Sequence, residues 1–311
     1  MTDQVKLAFT GIATFGRAPH LASLVGTDAR LAILGVPFDE GVGYRPGTRF
    51  GPRSLREYSL RYPYFDPDSS RRGFWDMDQR RWFLSDLKAV DLGDVNVVPL
   101  DVDHLHQGIG KSIRHILAQK AFPLVLGGDH SISFPVVAAM AAIGSLNIVH
   151  LDAHLDRRDS LGGVRLGHGS PLKRISELPF VERMISIGLR GLRAPEEDFL
   201  DAEKRGDLLI TCSEIREQGL DSILERLPQL GPTYVSIDID VLDPAIAPGT
   251  GTPEADGLTY HEVKTILFAV AGRSQLVGCD LVEVNPYLDS SGRTALFGVQ
   301  LLMEFLAAVF G

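Results

Sequence analysis

Three side chains able to ligate a metal recur at every second position in HLDAHLD, residues 150–156: Asp152, His154 and Asp156. In an extended chain that spacing puts all three on one side, because strand side chains alternate with period two. The preceding run NIVHL is apolar and rich in branched residues, so it reads as a buried strand. Carboxylates gathered at the end of such a strand repel one another; like charges ~4 Å apart cost about 4 kcal/mol at an effective dielectric near 20. A cation removes that cost. A second alternating pair, Asp238 and Asp240 in YVSIDIDVLDP, again follows an apolar run, and His130 in GGDHS follows a third.

Each signal alone is weak, since a histidine after a strand is commonly structural and an isolated D-x-D is commonly a capping pair. Their joint occurrence at three strand ends points to metal. Mixed carboxylate and imidazole ligands suit manganese, zinc, iron or nickel. Six such residues are too many for one catalytic ion that keeps an open position, but with two bridging aspartates they serve two ions.

The elements that must position these residues follow from the apolar pattern. Strands are expected at 31–36, 89–92, 122–126, 147–152, 184–189, 207–211, 233–240 and 276–284. Helices are expected at 102–120, from 131 to about 142, and at 195–205, 220–227, 259–271 and 293–310. Alternation along the whole length implies one parallel α/β sheet in a single domain, 1–311, with residues 1–29 as an arm packed on the body or on a neighbour. Between the first strand and a helix entry at Gly51-Pro52-Arg53-Ser54 lies a Gly- and Pro-rich stretch that reads as a binding loop. Residues 61–83, aromatic and charged, read as an excursion near the site mouth or an interface. Gly110-Lys111-Ser112 ends like a phosphate loop, but Leu105 stands where that motif needs glycine.

The 311 residues carry 31 basic and 40 acidic side chains, a formal net charge of −9, which argues against nucleic acid or an anionic membrane as the partner. With 44% apolar and 23% charged residues the composition is that of a globular protein. Two cysteines, Cys212 and Cys279, make no disulfide framework and suit a reducing cytoplasm. The N-terminal residues lack the pattern of a signal peptide, and no apolar run approaches the ~20 residues of a membrane span.

GGDHS, DAHLD and SIDIDVLDPAIAPGTGTP, in that order, closely resemble the ureohydrolases, the family of arginases, agmatinases, guanidinobutyrases and proclavaminate amidinohydrolases. The likeness extends to GVPFDEGVGYRPGTRFGPRSLRE and VEVNPYLDSSGRTA, which favour the agmatinase branch. The resemblance implies a three-layer α/β/α sandwich on a mostly parallel eight-stranded sheet, assembled as a homotrimer or homohexamer. It implies two manganese ions per subunit, with nickel, zinc and iron left open. His130, Asp152, Asp156 and Asp238 would hold one ion; His154, Asp152, Asp238 and Asp240 would hold the other. His168 matches a proton-shuttling histidine, and Glu283 matches the carboxylate that pairs with the substrate guanidinium.

The activity implied is hydrolysis of a small guanidino compound, of the agmatine or 4-guanidinobutyrate type, to urea and an amine. Arginase and formimidoylglutamase-type hydrolases share the metal chemistry, as would a non-catalytic metal-binding homologue. Arg157 and Arg158 follow DAHLD where many relatives carry small or neutral residues. Either arginine, Arg158 above all, is expected to face the pocket and bind a substrate carboxylate; the competing expectation is that both face solvent or pair with Asp159. Glu254-Ala255-Asp256 departs from the family pattern beside the site.

Overall fold

The computed structural model describes residues 6–69 and 72–311. Strands β1 (Leu31–Val36), β2 (Phe74–Asp76), β3 (Arg81–Phe83), β4 (Ala89–Asp94) and β5 (Phe122–Gly127) are followed by β6 (Leu146–Leu151) and β7 (Val181–Leu189). Then come β8 (Leu208–Thr211), β9 (Leu230–Asp238) and β10 (Ser274–Val282). The helices are α1 (Gly51–Ser59), α2 (Val102–Ala118), α3 (Ser133–Ala138), α4 (Pro171–Ser176) and α5 (Glu196–Arg205). They continue with α6 (Cys212–Gln218), α7 (Leu220–Glu225), α8 (Tyr260–Arg273) and α9 (Arg293–Phe310).

Eight strands form one sheet in the order β4-β1-β5-β10-β9-β6-β7-β8. Every neighbouring pair in it is parallel. Such a sheet buries both faces, and its strands are correspondingly apolar throughout. Along β1, Leu31 and Ile33 join a core with α1, α8 and α9. Ala32, Leu34 and Val36 join a second core with α2, α3 and α4 on the opposite face. Three layers result. Thr211 and Thr259 close capping boxes with Glu214 and Glu262 that start α6 and α8.

The expected strands all form, with ends shifted by up to three residues. The helices α4 and α6 were not foreseen; at six and seven residues they are too short to show a helical period. The described residues of 61–83 do not line the cavity; residues 70 and 71 lie outside the described residues. The segment carries the β2–β3 hairpin, whose Phe83 is buried in the α9-side core and whose Arg81 reaches the C-terminal carbonyl of Gly311. Phe310 packs edge-to-face with Phe122 at the start of β5, so this hairpin lies toward the strands' N-terminal end. Of the arm, residues 1–5 lie outside the described residues, and residues 6–29 pack on the body: Phe15 and Leu24 are fully buried, and the Phe15 amide donates to Asp91 at 2.9 Å. Among the described residues α9 alone has the length and apolarity to cross a membrane; 56% of it is buried, as in a core helix.

Close approach fixes the turn after β5. A Cβ on Gly128 would lie 1.9 Å from the Phe38 carbonyl oxygen and 2.7 Å from that of Val36. Gly128→Ala should therefore lower stability by about 2–3 kcal/mol, the cost of overpacking. Urea denaturation reads this as a lower midpoint; an unchanged midpoint contradicts the packing described.

Candidate metal centre and its cavity

The four central strands, β5, β10, β9 and β6, end side by side, and each ends in the same way. Beyond β5, Asp129 Oδ1 accepts the Ser131 amide at 3.0 Å. Beyond β6, Asp152 Oδ1 accepts the His154 amide at 2.5 Å. At the end of β9, Asp238 Oδ1 accepts the Asp240 amide at 2.9 Å, and beyond β10, Asn285 Oδ1 accepts the Tyr287 amide at 3.2 Å. These Asx turns reverse the chain over the carboxyl edge of the sheet, where open α/β folds place their sites.

The alternation of Asp152, His154 and Asp156 therefore has a different cause from the one expected. The strand stops at Leu151, and the three residues converge through a turn that leaves Asp156 at φ 49°. Asp240 likewise sits in a 3₁₀ turn, Ile239–Val241. Glu283, just past β10, also has positive φ, 61°. Two of the few strained non-glycine residues thus lie in the site, where strain persists only if the surroundings enforce it.

All six residues proposed as ligands are brought together. His130 Nδ1 lies 3.1 Å from Asp152 Oδ2, 3.2 Å from Asp156 Oδ2 and 3.2 Å from Asp238 Oδ2. His154 Nδ1 lies 3.3 Å from Asp152 Oδ1 and 3.1 Å from Asp240 Oδ2. Asp152 thus offers one oxygen to each group. His130 Nδ1 and Asp240 Oδ2 are buried with no hydrogen-bond partner, a costly condition that bound cations relieve. Donor atoms about 2.1 Å from one cation and at right angles lie roughly 3 Å apart, so the observed spacings fit a metal.

Electrostatics agree. Burial opposes a charge on His130, yet Asp152, Asp156 and Asp238 hold its imidazole well above the ordinary value. His154 is raised likewise, against burial, by Asp240 and Asp152. Burial, then the charges of Asp240 and Asp152, push Asp238 well above the usual carboxylate range.

A residue not singled out from sequence completes the floor. His150 Nε2 lies 2.8 Å from Asp152 Oδ2, and its Nδ1 lies 3.1 Å from Ser186 Oγ. Its position two residues before Asp152 puts it on the same strand face, a signal that was present in HLDAHLD. It belongs to a polar rung across the sheet, Asp280, Ser236, His150 and Ser186, paired in register. Ser236 Oγ lies 3.0 Å from His130 Nε2 and donates to Asp280 at 2.7 Å. Asp280 also accepts from Tyr234 and Ser133. The rung fixes the His130 ring, as partners behind metal-binding histidines do.

Glu283 and His168 form a pair beside this cluster. Glu283 Oε1 accepts the His130 amide at 3.0 Å and lies 3.1 Å from His168 Nδ1. The Gly43 amide lies 3.2 Å from His168 Nε2 and donates to it when the ring is neutral with its proton on Nδ1. Burial opposes charging His168, but Glu283, with Asp156 and Asp129, holds it at about 9. Asp129, buried and facing Glu283, is pushed up to about 7. Its Oδ2 accepts the Gly41 amide at 2.8 Å, and the Gly41 carbonyl accepts the His168 amide at 3.1 Å. The long loop after β1 is thus tied to the site, as expected of a binding loop.

A cavity of about 460 Å³ opens beside these groups, with Asp156, Asp238 and Glu283 on its wall beside His154 and His168. Arg158 also lines it; its Nη2 donates to the Arg193 carbonyl at 2.5 Å and its Nε lies 3.6 Å from Asp198. Arg157 does not present its charge there. Its guanidinium is buried against Asp207 at 2.6 Å and Asp201 at 3.0 Å. Neither arginine pairs with Asp159, which Arg165 and Arg174 hold instead. Glu254, in the segment noted for its unusual composition, places Oε1 3.4 Å from His154 Nε2.

A family profile described as the arginase family matches residues 29–308, and the chain belongs to that family. It is 36% identical over 310 residues to a guanidinobutyrase of Pseudomonas aeruginosa, covering 97% of this chain and 94% of that one. It is 37% identical over 307 residues to a mitochondrial agmatinase of Gallus gallus, covering 97% and 86%. The solved proclavaminate amidinohydrolase of Streptomyces clavuligerus superposes with a TM-score of 0.85 at 32% identity, covering 97% and 98%.

Two substitutions separate ligand from scaffold. Asp238→Asn should cut the metal retained per chain and shrink the rise in Tm on adding manganese, because a bound ligand stabilises in proportion to its affinity; elemental analysis and a thermal scan check this, and wild-type values for both contradict it. Arg157→Ala removes one of the two arginines paired with Asp207, which keeps Arg205, and should cost about 2 kcal/mol, the size of a hydrogen bond to a charged group. It should leave substrate preference unchanged; an altered preference at wild-type stability contradicts its structural placement.

Proposed function

We propose that this chain is a dinuclear-metal amidinohydrolase that adds water to a small linear guanidino compound, releasing urea and leaving an amine. The observation that carries this reading is that two adjoining carboxylate–imidazole groups and the Glu283–His168 pair meet beside one cavity, with Asp156, Asp238, His154, His168 and Glu283 on its wall. The family membership and relatives with guanidinobutyrase and agmatinase activity in their names support it.

His130, Asp152, Asp156 and Asp238, and His154, Asp152, Asp238 and Asp240, would hold two manganese ions, which lower the pKa of water toward neutrality and supply a nucleophile. The chain's own groups do the rest. Glu283 already accepts two donors on Oε1; its Oε2 has no donor among the described residues and is the oxygen left to orient a guanidinium by charge-assisted hydrogen bonds. That orientation brings the guanidinium carbon over the carboxylate cluster. His168 carries a proton against Glu283, next to the guanidinium, and delivers it to the departing nitrogen. The net change is one water consumed, one C–N bond broken, and one urea and one ammonium formed.

A urea-release assay on manganese-loaded protein across agmatine, 4-guanidinobutyrate, 3-guanidinopropionate and arginine tests the reading. At least one compound should turn over, and His168→Ala should lower kcat by roughly 10²–10⁴-fold while both metals remain bound. No urea from any compound, with two metals bound, contradicts it.

A further inference from the structure

The cavity lining carries both signs of charge: the acids Asp156, Asp238 and Glu283 are on it, and so are four arginines, Arg157, Arg158, Arg190 and Arg193. Three of these are already engaged. Arg157 is spent on Asp201 and Asp207. Arg190 staples two loops by donating to the carbonyls of Asp240 at 2.6 Å, Glu254 at 3.0 Å and Gly188 at 3.2 Å. Arg158 is held by Asp198 and by the Arg193 carbonyl. Arg193 differs: it is exposed, and its guanidinium makes no hydrogen bond or ion pair among the described residues.

The acids near these arginines do not cancel it. Asp198 is matched by Arg158, and Glu40 is turned to the Leu100 amide at 2.8 Å. Of the four arginines, Arg193 alone has a guanidinium without a partner among the described residues, and its backbone carbonyl anchors Arg158 beside it. A guanidinium presents a planar fork of donors that matches a carboxylate, and an unpaired one on a cavity wall is free to accept one.

We propose that Arg193, with Arg158 fixed alongside, forms a carboxylate subsite, so that the preferred substrates are ω-guanidino acids and not guanidino amines. This rests on the amidinohydrolase reading above. A guanidino acid carries a cation for Glu283 and an anion for Arg193, both of which line the cavity. Agmatine carries cations at both ends, and Arg193 discriminates against its ammonium by repulsion as much as it favours the carboxylate.

The test pairs turnover with binding. On manganese-loaded protein, Arg193→Glu should lower kcat/KM for 4-guanidinobutyrate by roughly 10- to 100-fold, the size of a lost charge-assisted hydrogen bond, mainly through KM. The ratio of agmatine to 4-guanidinobutyrate turnover should rise, and Arg193→Lys should restore much of the wild-type ratio. Calorimetric binding of 4-guanidinobutyrate should weaken by a similar factor in Arg193→Glu. A wild-type preference for agmatine, or equal losses for both compounds, overturns the subsite while leaving the hydrolase reading intact. If no compound releases urea, the hydrolase reading fails, and the calorimetry still decides the subsite: charge-dependent binding supports it, and binding indifferent to the charge at 193 overturns it.

Discussion

Four aspartates crowd the carboxyl edge of the sheet, two of them fully buried, and their mutual repulsion is the constraint to which the rest of the molecule answers. Without counter-charge such a group is expensive to assemble. Two imidazoles supply part of the compensation, and the orphaned Nδ1 of His130 and Oδ2 of Asp240 mark where the rest belongs. The helices and strands around the cluster contribute little chemistry of their own. They hold it together against a force that would scatter it.

The parallel sheet is suited to that task because it delivers several chain ends to one line. Four adjacent strands stop at nearly the same height, and a side-chain oxygen of each turn folds the following residues back over the edge. Beneath them the rung of Asp280, Ser236, His150 and Ser186 ties neighbouring strands by polar contacts inside an otherwise apolar sheet. A satisfied polar row of this kind fixes ring orientation where apolar packing alone leaves rotation open.

Much of this was legible in the residue order. The eight strands showed as apolar runs, and the proposed ligands showed because acids and histidines directly after such runs are hard to explain otherwise. The geometric reason was not legible. Period two suggested an extended chain, whereas Asp156 and Asp240 reach their places through turns whose dihedral angles no pattern of residue types encodes. Arg157 and Arg158 illustrate a second limit. Adjacent arginines look alike in sequence, but one lies buried against Asp207 and the other lines the cavity, a division set by acids about 40 or 50 residues away. Arg193 escaped notice for the same reason: a surface arginine acquires meaning only when its neighbours' charges are known to be already matched.

The central claim is that the carboxylate cluster exists to hold two cations. The most direct measurement is a calorimetric titration of manganese into chelator-stripped protein, with Tm followed in parallel. Saturation at two ions per chain, accompanied by a marked rise in Tm, is the result this account predicts. Saturation below one ion per chain, or binding that leaves Tm unmoved, would contradict it.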